Sequence, residues 1–220
     1  DEIEYFKEMG VYEKVNVEEC WKVTGKAPIG VRWVDINKGD SINPNYRSRL
    51  VAKEFNTGPC PELYAATPPS ECLRIMLSKV ASGKGKEVSL MYADVSRAYF
   101  YARAVRPVCV KLPEEDTGPR DEGKCGKLMM SMYGTRDAAH RWQETVSEHL
   151  EKIGYTRGQA HPAVFYNSKR KLYTLVHGAD YLSCGTQADL EWLKDRLAET
   201  FDIKTQLIGH EAPGVKEGKS

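Results

Sequence analysis

No stretch of this sequence approaches the roughly 18 consecutive apolar residues that a helix needs to cross a bilayer, so no membrane partner is expected. The six cysteines, Cys20, Cys60, Cys72, Cys109, Cys125 and Cys184, include no Cys-x-x-Cys pair. That scatter gives poor support to a zinc site. With no export signal beside them, they read as reduced intracellular thiols rather than a disulfide framework. Charge of one sign is also missing: 32 basic and 31 acidic side chains leave a net charge of +1. The whole-chain balance therefore does not announce a nucleic-acid partner. The start, Asp1-Glu2-Ile3-Glu4, is acidic and lacks an initiator methionine, so it reads as a cut from a longer polypeptide rather than a signal peptide.

What is present suits a soluble globular chain. An apolar share of 41% over 220 residues is enough for a real core, in one large domain or two closely packed subdomains. Basic residues cluster locally. Arg47 and Arg49 stand two apart in a strand-like segment and share a face, with Lys53 close behind. Lys79, Lys84 and Lys86 read as solvated surface.

Hydrophobic period supplies the elements, without repeats or low complexity. Gly30 to Ile36 alternates, Asn37-Lys38-Gly39-Asp40 signals a turn, and Tyr46 to Phe55 returns, which predicts a hairpin. A loop rich in Pro and Gly follows from Gly58 to Pro69. Ser70 is placed to cap a helix with Leu73, Met76, Leu77 and Val80 on its apolar face and Gly83 at its close. Val88 to Asp94 reads as strand, as do Val108, Val110 and Leu112, and the charged stretch Asp116 to Lys124 as loop. From Asp137 the period becomes helical, with Ala138, Trp142, Val146, Leu150 and Ile153 on one side and Gly154 at the end. Leu172 to Val176 and Tyr181 to Cys184 flank a turn. Thr186 and Asp189 open a helix with Leu190, Leu193 and Leu197 inward. Phe201-Asp202-Ile203 begins a last extended piece, and residues 209–220 read as a disordered tail. Strands interleaved with three amphipathic helices predict an α+β fold, a mostly antiparallel sheet with helices packed on one face.

Two acids stand where such strands end. Asp94 closes the run from Val88, with Tyr99 and Phe100 five and six positions on, and Asp180 stands in the turn His177-Gly178-Ala179-Asp180. Carboxylates held on strand ends are the hard oxygen ligands that magnesium prefers, and two such sites suit a phosphoryl-transfer centre. A strand-end aspartate more often caps something, so the acids alone do not decide the chemistry.

Order and spacing add to them. Tyr46-Arg47-Ser48-Arg49-Leu50-Val51-Ala52-Lys53, then Ala65-Ala66-Thr67-Pro68-Pro69 with Arg74, then Asp94-Val95-Ser96-Arg97-Ala98-Tyr99-Phe100, Val110-Lys111-Leu112-Pro113, Met132 to Trp142, Gly154-Tyr155 and His161 to Phe165 occur in sequence. This series resembles the copia-type reverse transcriptases of long-terminal-repeat retrotransposons, RNA-directed DNA polymerases, from roughly Val31 to Gly209. The resemblance implies a reverse-transcriptase-like fingers and palm fold over residues 1–208, with 25–87 as fingers and 88–208 as palm. It implies two Mg2+ ions, an RNA or DNA template-primer and deoxynucleoside triphosphates as partners, and a place within a larger Pol polyprotein. It also implies an intracellular setting, cytoplasmic, nuclear or in virus-like particles.

The resemblance further implies roles residue by residue. Asp94 and Asp180 are the metal ligands and catalytic acids. Tyr99 is the gate that tells deoxyribose from ribose. Arg47 and Arg49 offer guanidinium forks to the triphosphate, Gly134 lets nucleotide or template approach the backbone, and Arg136 lies near phosphate. Plainer roles stay open: a core aromatic for Tyr99 and a surface charge for Arg136, while Trp142 reads as core.

Departures from the family pattern carry equal weight. The Tyr-x-Asp-Asp tip corresponds to His177-Gly178-Ala179-Asp180, so Ala179 occupies the position of a metal-binding aspartate. A methyl group cannot ligate magnesium. Glu54, Asp137 and His161 stand where Gly, Gln and Asp are usual. The expectation is therefore a reverse transcriptase domain whose activity is lost or weak. The alternative is a non-catalytic module, derived from a reverse transcriptase, that binds template-primer or protein.

Overall fold

The computed structural model describes residues 2–55, 58, 63–82 and 88–209. Along the chain the elements are α1 (Glu2–Glu8), β1 (Tyr12–Asn16), α2 (Val17–Thr24), β2 (Val31–Asn37), β3 (Tyr46–Ala52), α3 (Ser70–Ala81), β4 (Ser89–Val95), β5 (Cys109–Val110), β6 (Lys124–Leu128), α4 (Ala138–Lys152), β7 (Thr156–Arg157), β8 (Val164–Asn167), β9 (Leu172–His177), β10 (Asp180–Gly185), α5 (Gln187–Ala198) and β11 (Ile203–Ile208). Every strand pairing within the sheets is antiparallel, so the fold is α+β with antiparallel sheets. The chain divides into two compact units, residues 1–64 with 99–142 and residues 65–98 with 143–220.

The first unit contains a sheet in the order β1-β6-β5 and the hairpin β2-β3. Its core gathers Phe6, Val11, Leu50, Phe100, Val108, Val110 and Met132. Phe6 meets Phe100 edge-on, with ring centroids 4.8 Å apart, an arrangement that aromatic quadrupoles favour. One buried carboxylate, Asp116, is held by Lys7 at 2.9 Å and by the Tyr12 hydroxyl at 2.8 Å. Burial pushes that carboxyl up, but the bonds from Lys7, Tyr12 and Lys14 outweigh it and hold it below its ordinary value.

The second unit is built on one sheet in the order β11-β4-β10-β9-β8-β7. β4 is an interior strand with Met91, Ala93 and Val95 buried on one face and Leu90 buried on the other. Met76 of α3 clusters with Leu90, Leu175 and Cys184. α5 buries Leu190, Leu193 and Leu197, spaced as one helical face. Its N-cap is Thr186, whose hydroxyl accepts from the Asp189 N–H, as the capping-box spacing predicts. The buried hydroxyls of Thr174 and Ser183, register partners on β9 and β10, satisfy each other at 2.9 Å.

Several local expectations need correction. Ser70 is the first helical residue of α3, and Pro69 holds the cap position without a side-chain bond, since a proline at that boundary already presets extended backbone. Of the apolar face expected for α3, only Met76 is buried, while Leu73 and Leu77 are exposed. β3 ends at Ala52 rather than Phe55, and β5 covers only Cys109 and Val110 of the predicted alternating strand. The N-terminal elements α1, β1 and α2, and the short strands β7 and β8, have no counterpart in the sequence reading. Gly83, Lys84, Lys86 and Cys60 lie outside the described residues, as does the tail from His210.

Candidate active site

In a strand, alternate residues share a face, so Tyr92 and Asp94 of β4 point the same way. The register then brings Asp180 of β10 directly opposite Asp94 and His177 of β9 opposite Asp180. On its other edge, β4 presents Asp94 to Lys204 of β11. Directly opposed residues hold their Cβ atoms about 4.5–5.5 Å apart, so Lys204, Asp94, Asp180 and His177 form a row across one face of the sheet. Three of the four are exposed and Asp94 is half-buried.

The hairpin that carries Asp180 turns through Gly178 and Ala179. Gly178 has a φ of 57°, the left-handed value that a two-residue hairpin loop demands and that glycine meets without strain. The Ala179 carbonyl accepts from the Val95 N–H at 3.0 Å, which ties the turn to the end of β4. Tyr92 donates its hydroxyl to Asp180 Oδ1 at 2.5 Å. That bond, then partial burial and the neighbouring negative charges of Asp180 and Asp94, push the Tyr92 phenol up to about 12.

The donor set limits which metal fits. Asp94 and Asp180 offer two carboxylates, and Ala179 offers a methyl group. Among the described residues, the one group of three ligand-type side chains close enough to share an ion lies elsewhere. One exposed and one half-buried carboxylate suit a single hydrated magnesium ion, which keeps several waters. They do not suit a pair of ions bridged by a further shared carboxylate.

The other residues expected at a site fall in the first unit. Arg47 and Arg49 lie on one face of β3, as their spacing predicts, opposite Ile36 and Val34 of β2. The Arg49 guanidinium stands 5.1 Å from the centre of the Tyr133 ring, and Tyr133 in turn meets Tyr99 at 4.8 Å. An arginine over one tyrosine and a second tyrosine beside it form a continuous polar-aromatic surface. Burial raises the Tyr99 phenol above its ordinary value, and the charge of Arg49 opposes that rise. At Gly134, φ is +82° and a Cβ would strike the Ala52 carbonyl and the Val51 side chain. The close approach seen at this glycine is thus to the backbone at the end of β3, which Tyr133 O also anchors by accepting from the Ala52 N–H at 2.8 Å. Arg136 gives its backbone N–H to Glu54 at 2.8 Å and its guanidinium to the Gly58 carbonyl at 3.2 Å.

Two departures from the family pattern turn out to be joined. Glu54 takes a bidentate pair of bonds from Arg106 at 2.7 and 2.6 Å, and the same guanidinium reaches Asp137 at 2.8 Å. Burial pushes the Glu54 carboxyl up, but the bonds from Arg106 and the Arg136 N–H outweigh it and leave it below the ordinary value.

Residues 16–210 match the family described as reverse transcriptase (RNA-dependent DNA polymerase). The chain belongs to that family. It is 24% identical over 98% of its length to a retrovirus-related Pol polyprotein from transposon TNT 1-94 of Nicotiana tabacum, of which it covers 16%. A protein of transposon Ty5-1 from Saccharomyces cerevisiae is 25% identical over 50% of this chain, which covers 37% of that protein. Both relatives agree with the copia-type resemblance, and the chain spans well under half the length of each. Among solved structures, apo telomerase from Candida tropicalis, truncated from its C-terminal domain, aligns with 96% of this chain and 55% of its own at 10% identity and a TM-score of 0.47.

Within this reverse transcriptase domain, Tyr92, Lys204 and Arg106 contact or flank the expected residues without belonging to any of the motifs. Tyr92 carried a usable signal, since period 2 puts it on the face of Asp94. Lys204 and Arg106 carried none, because strand register and a contact across 52 residues place them. Among the described residues, no helix is long and apolar enough to cross a membrane.

Proposed function

We propose that this reverse transcriptase domain retains the template-primer and nucleotide surface of its family but has lost most of its nucleotidyl transfer at Ala179. The observation that carries the reading is the register pair Asp94–Asp180, with Ala179 in the turn beside it. In this reading Asp94 and Asp180 are the remaining acids, and magnesium held there would neutralise charge on the reacting phosphate. Arg47 and Arg49 take the triphosphate, Arg136 lies near phosphate, Gly134 keeps the backbone close, and Tyr99 excludes a ribose 2′-hydroxyl. The substrates are deoxynucleoside triphosphates and a primer 3′-hydroxyl on an RNA or DNA template. The chain acts as part of a Pol polyprotein inside the cell.

A charged group central to a transition state is worth about 10²–10³ in rate, which sets the scale of the expected defect. Primer extension by this chain and by Ala179→Asp, each with magnesium and with manganese, tests it. The substituted chain is expected to extend at least about 10²-fold faster. Equal extension by both chains would overturn the claim of inactivation. If neither extends, while both are folded and bind template-primer with steep salt dependence, the domain is a binding module without chemistry.

A further inference from the structure

Three cysteines far apart in sequence meet in the first unit. Cys20 comes from α2, Cys109 from β5 and Cys125 from β6, and their Sγ atoms all lie within 4.8 Å of one another. The strand pair sets two of them: Cys109 opposes Lys127, so Cys125, two residues back along β6, falls on the same face. The three thiols are 0%, 2% and 1% exposed, and Val15 and Val17 pack against them. The Thr24 hydroxyl oxygen lies 3.8 Å from Cys20 Sγ.

α2 makes this cluster more than ordinary core packing. Cys20 is the only buried residue of its eight, while Trp21 and Val23 are about half exposed. A thiol is a small apolar group, and burying one contributes little beside the cost of ordering a helix of this length. Polar contacts add to it, with Glu19 3.6 Å from Lys127 of β6 and the Val17 N–H bonded to the Gly123 carbonyl at 2.9 Å, but Cys20 is the one buried side chain by which α2 meets β5 and β6. A metal ion bonded at about 2.3 Å to each of three sulfurs spaces them about 3.8–4 Å apart, inside the 4.8 Å within which these three lie.

We infer that Cys20, Cys109 and Cys125 form a binding site for a thiophilic divalent cation of the zinc class that pins α2 to the β5–β6 hairpin. Binding releases up to three thiol protons to solvent as three Sγ–metal bonds form, leaving a net charge of −1. A monovalent soft ion such as copper(I) would leave −2 in a buried site, which is harder to sustain. Because each sulfur must give up its proton to ligate the ion, uptake weakens as pH falls.

The test uses the whole reduced chain. Cadmium(II) is followed by thiolate-to-metal charge-transfer absorption, and zinc(II) and copper(I) by competition with chromophoric chelators. One divalent ion per chain is expected, with slower amide exchange in α2 and a higher Tm. Cys20→Ser, Cys109→Ser and Cys125→Ser should each weaken binding at least about tenfold, since even outer-shell changes cost about 10–100-fold. Cys72→Ser and Cys184→Ser should leave binding unchanged. Where a serine variant fails to fold, alkylation of the unsubstituted chain decides, with zinc expected to slow labelling of these three cysteines alone. Uptake no greater than that of the triple serine variant, alkylation indifferent to zinc, or a disulfide among the three thiols without uptake would each overturn the inference. Preference for copper(I) over zinc would overturn the assigned class.

Discussion

The hydroxyl of Tyr92 and the carboxylate of Asp180, on neighbouring strands, are joined by a hydrogen bond of 2.5 Å. The bond occupies one oxygen of the acid proposed above as a metal ligand. Asp180→Asn should bring the Tyr92 phenol back from about 12 toward the usual value of about 10. Because the folded value is raised, the bond's stabilisation is complete below pH ~10 and lost as pH rises toward ~12. Carbon NMR of labelled tyrosine measures this directly. A Tyr92 signal unmoved by the substitution would rule out the bond.

Arg106 is the shared partner of Glu54 and Asp137, and its removal leaves two carboxylates facing each other. Arg106→Ala should destabilise the chain by about 1–3 kcal/mol, below the range for fully buried pairs because the guanidinium is partly exposed. Glu54 titrates below its ordinary value of 4.5, so its share of stability is present above that pH and fades as pH falls through the lower, folded value. Glu54→Gln should flatten the acid limb of a Tm-against-pH curve, and an unchanged limb would refute the argument.

At Gly134 two penalties combine, a φ of +82° and a collision with the Ala52 carbonyl. Gly134→Ala should cost at least about 2 kcal/mol, read as a lower urea midpoint. A loss of template binding at unchanged stability would instead place the close approach at a ligand.

Tyr181 follows Asp180 but points to the opposite face, where it is fully buried. Its hydroxyl has no hydrogen-bond partner among the described residues, and burial alone drives the phenol pKa upward. Tyr181→Phe removes an unsatisfied polar atom without altering the ring. Stability should stay level or rise by about 1 kcal/mol in thermal melts, whereas a fall would reveal an unseen partner.

Much of the second unit was legible because its signals are local. A short apolar run marked β4, the turn at His177–Asp180 marked β9 and β10, and the Thr186–Asp189 spacing marked the start of α5. Leu190, Leu193 and Leu197 marked its buried face, and the order of motifs marked the family. The first unit was harder to read, since α1, β1 and α2 are short and rest on contacts with distant strands. Their residues carry no period long enough to declare them.

By itself, the sequence determined that Asp94 lies near the end of a strand and that Arg47 and Arg49 share a face, while the resemblance to the family placed Ala179 where an acid is expected. The first two follow from period 2 and residue identity and the third from motif order, none of which needs tertiary knowledge. Only the tertiary structure decided that Asp94 lies between Asp180 and Lys204, that Arg106 joins Glu54 to Asp137, and that Cys20 meets Cys109 and Cys125. Strand register and long-range packing set those neighbours, and neither leaves a trace in local spacing.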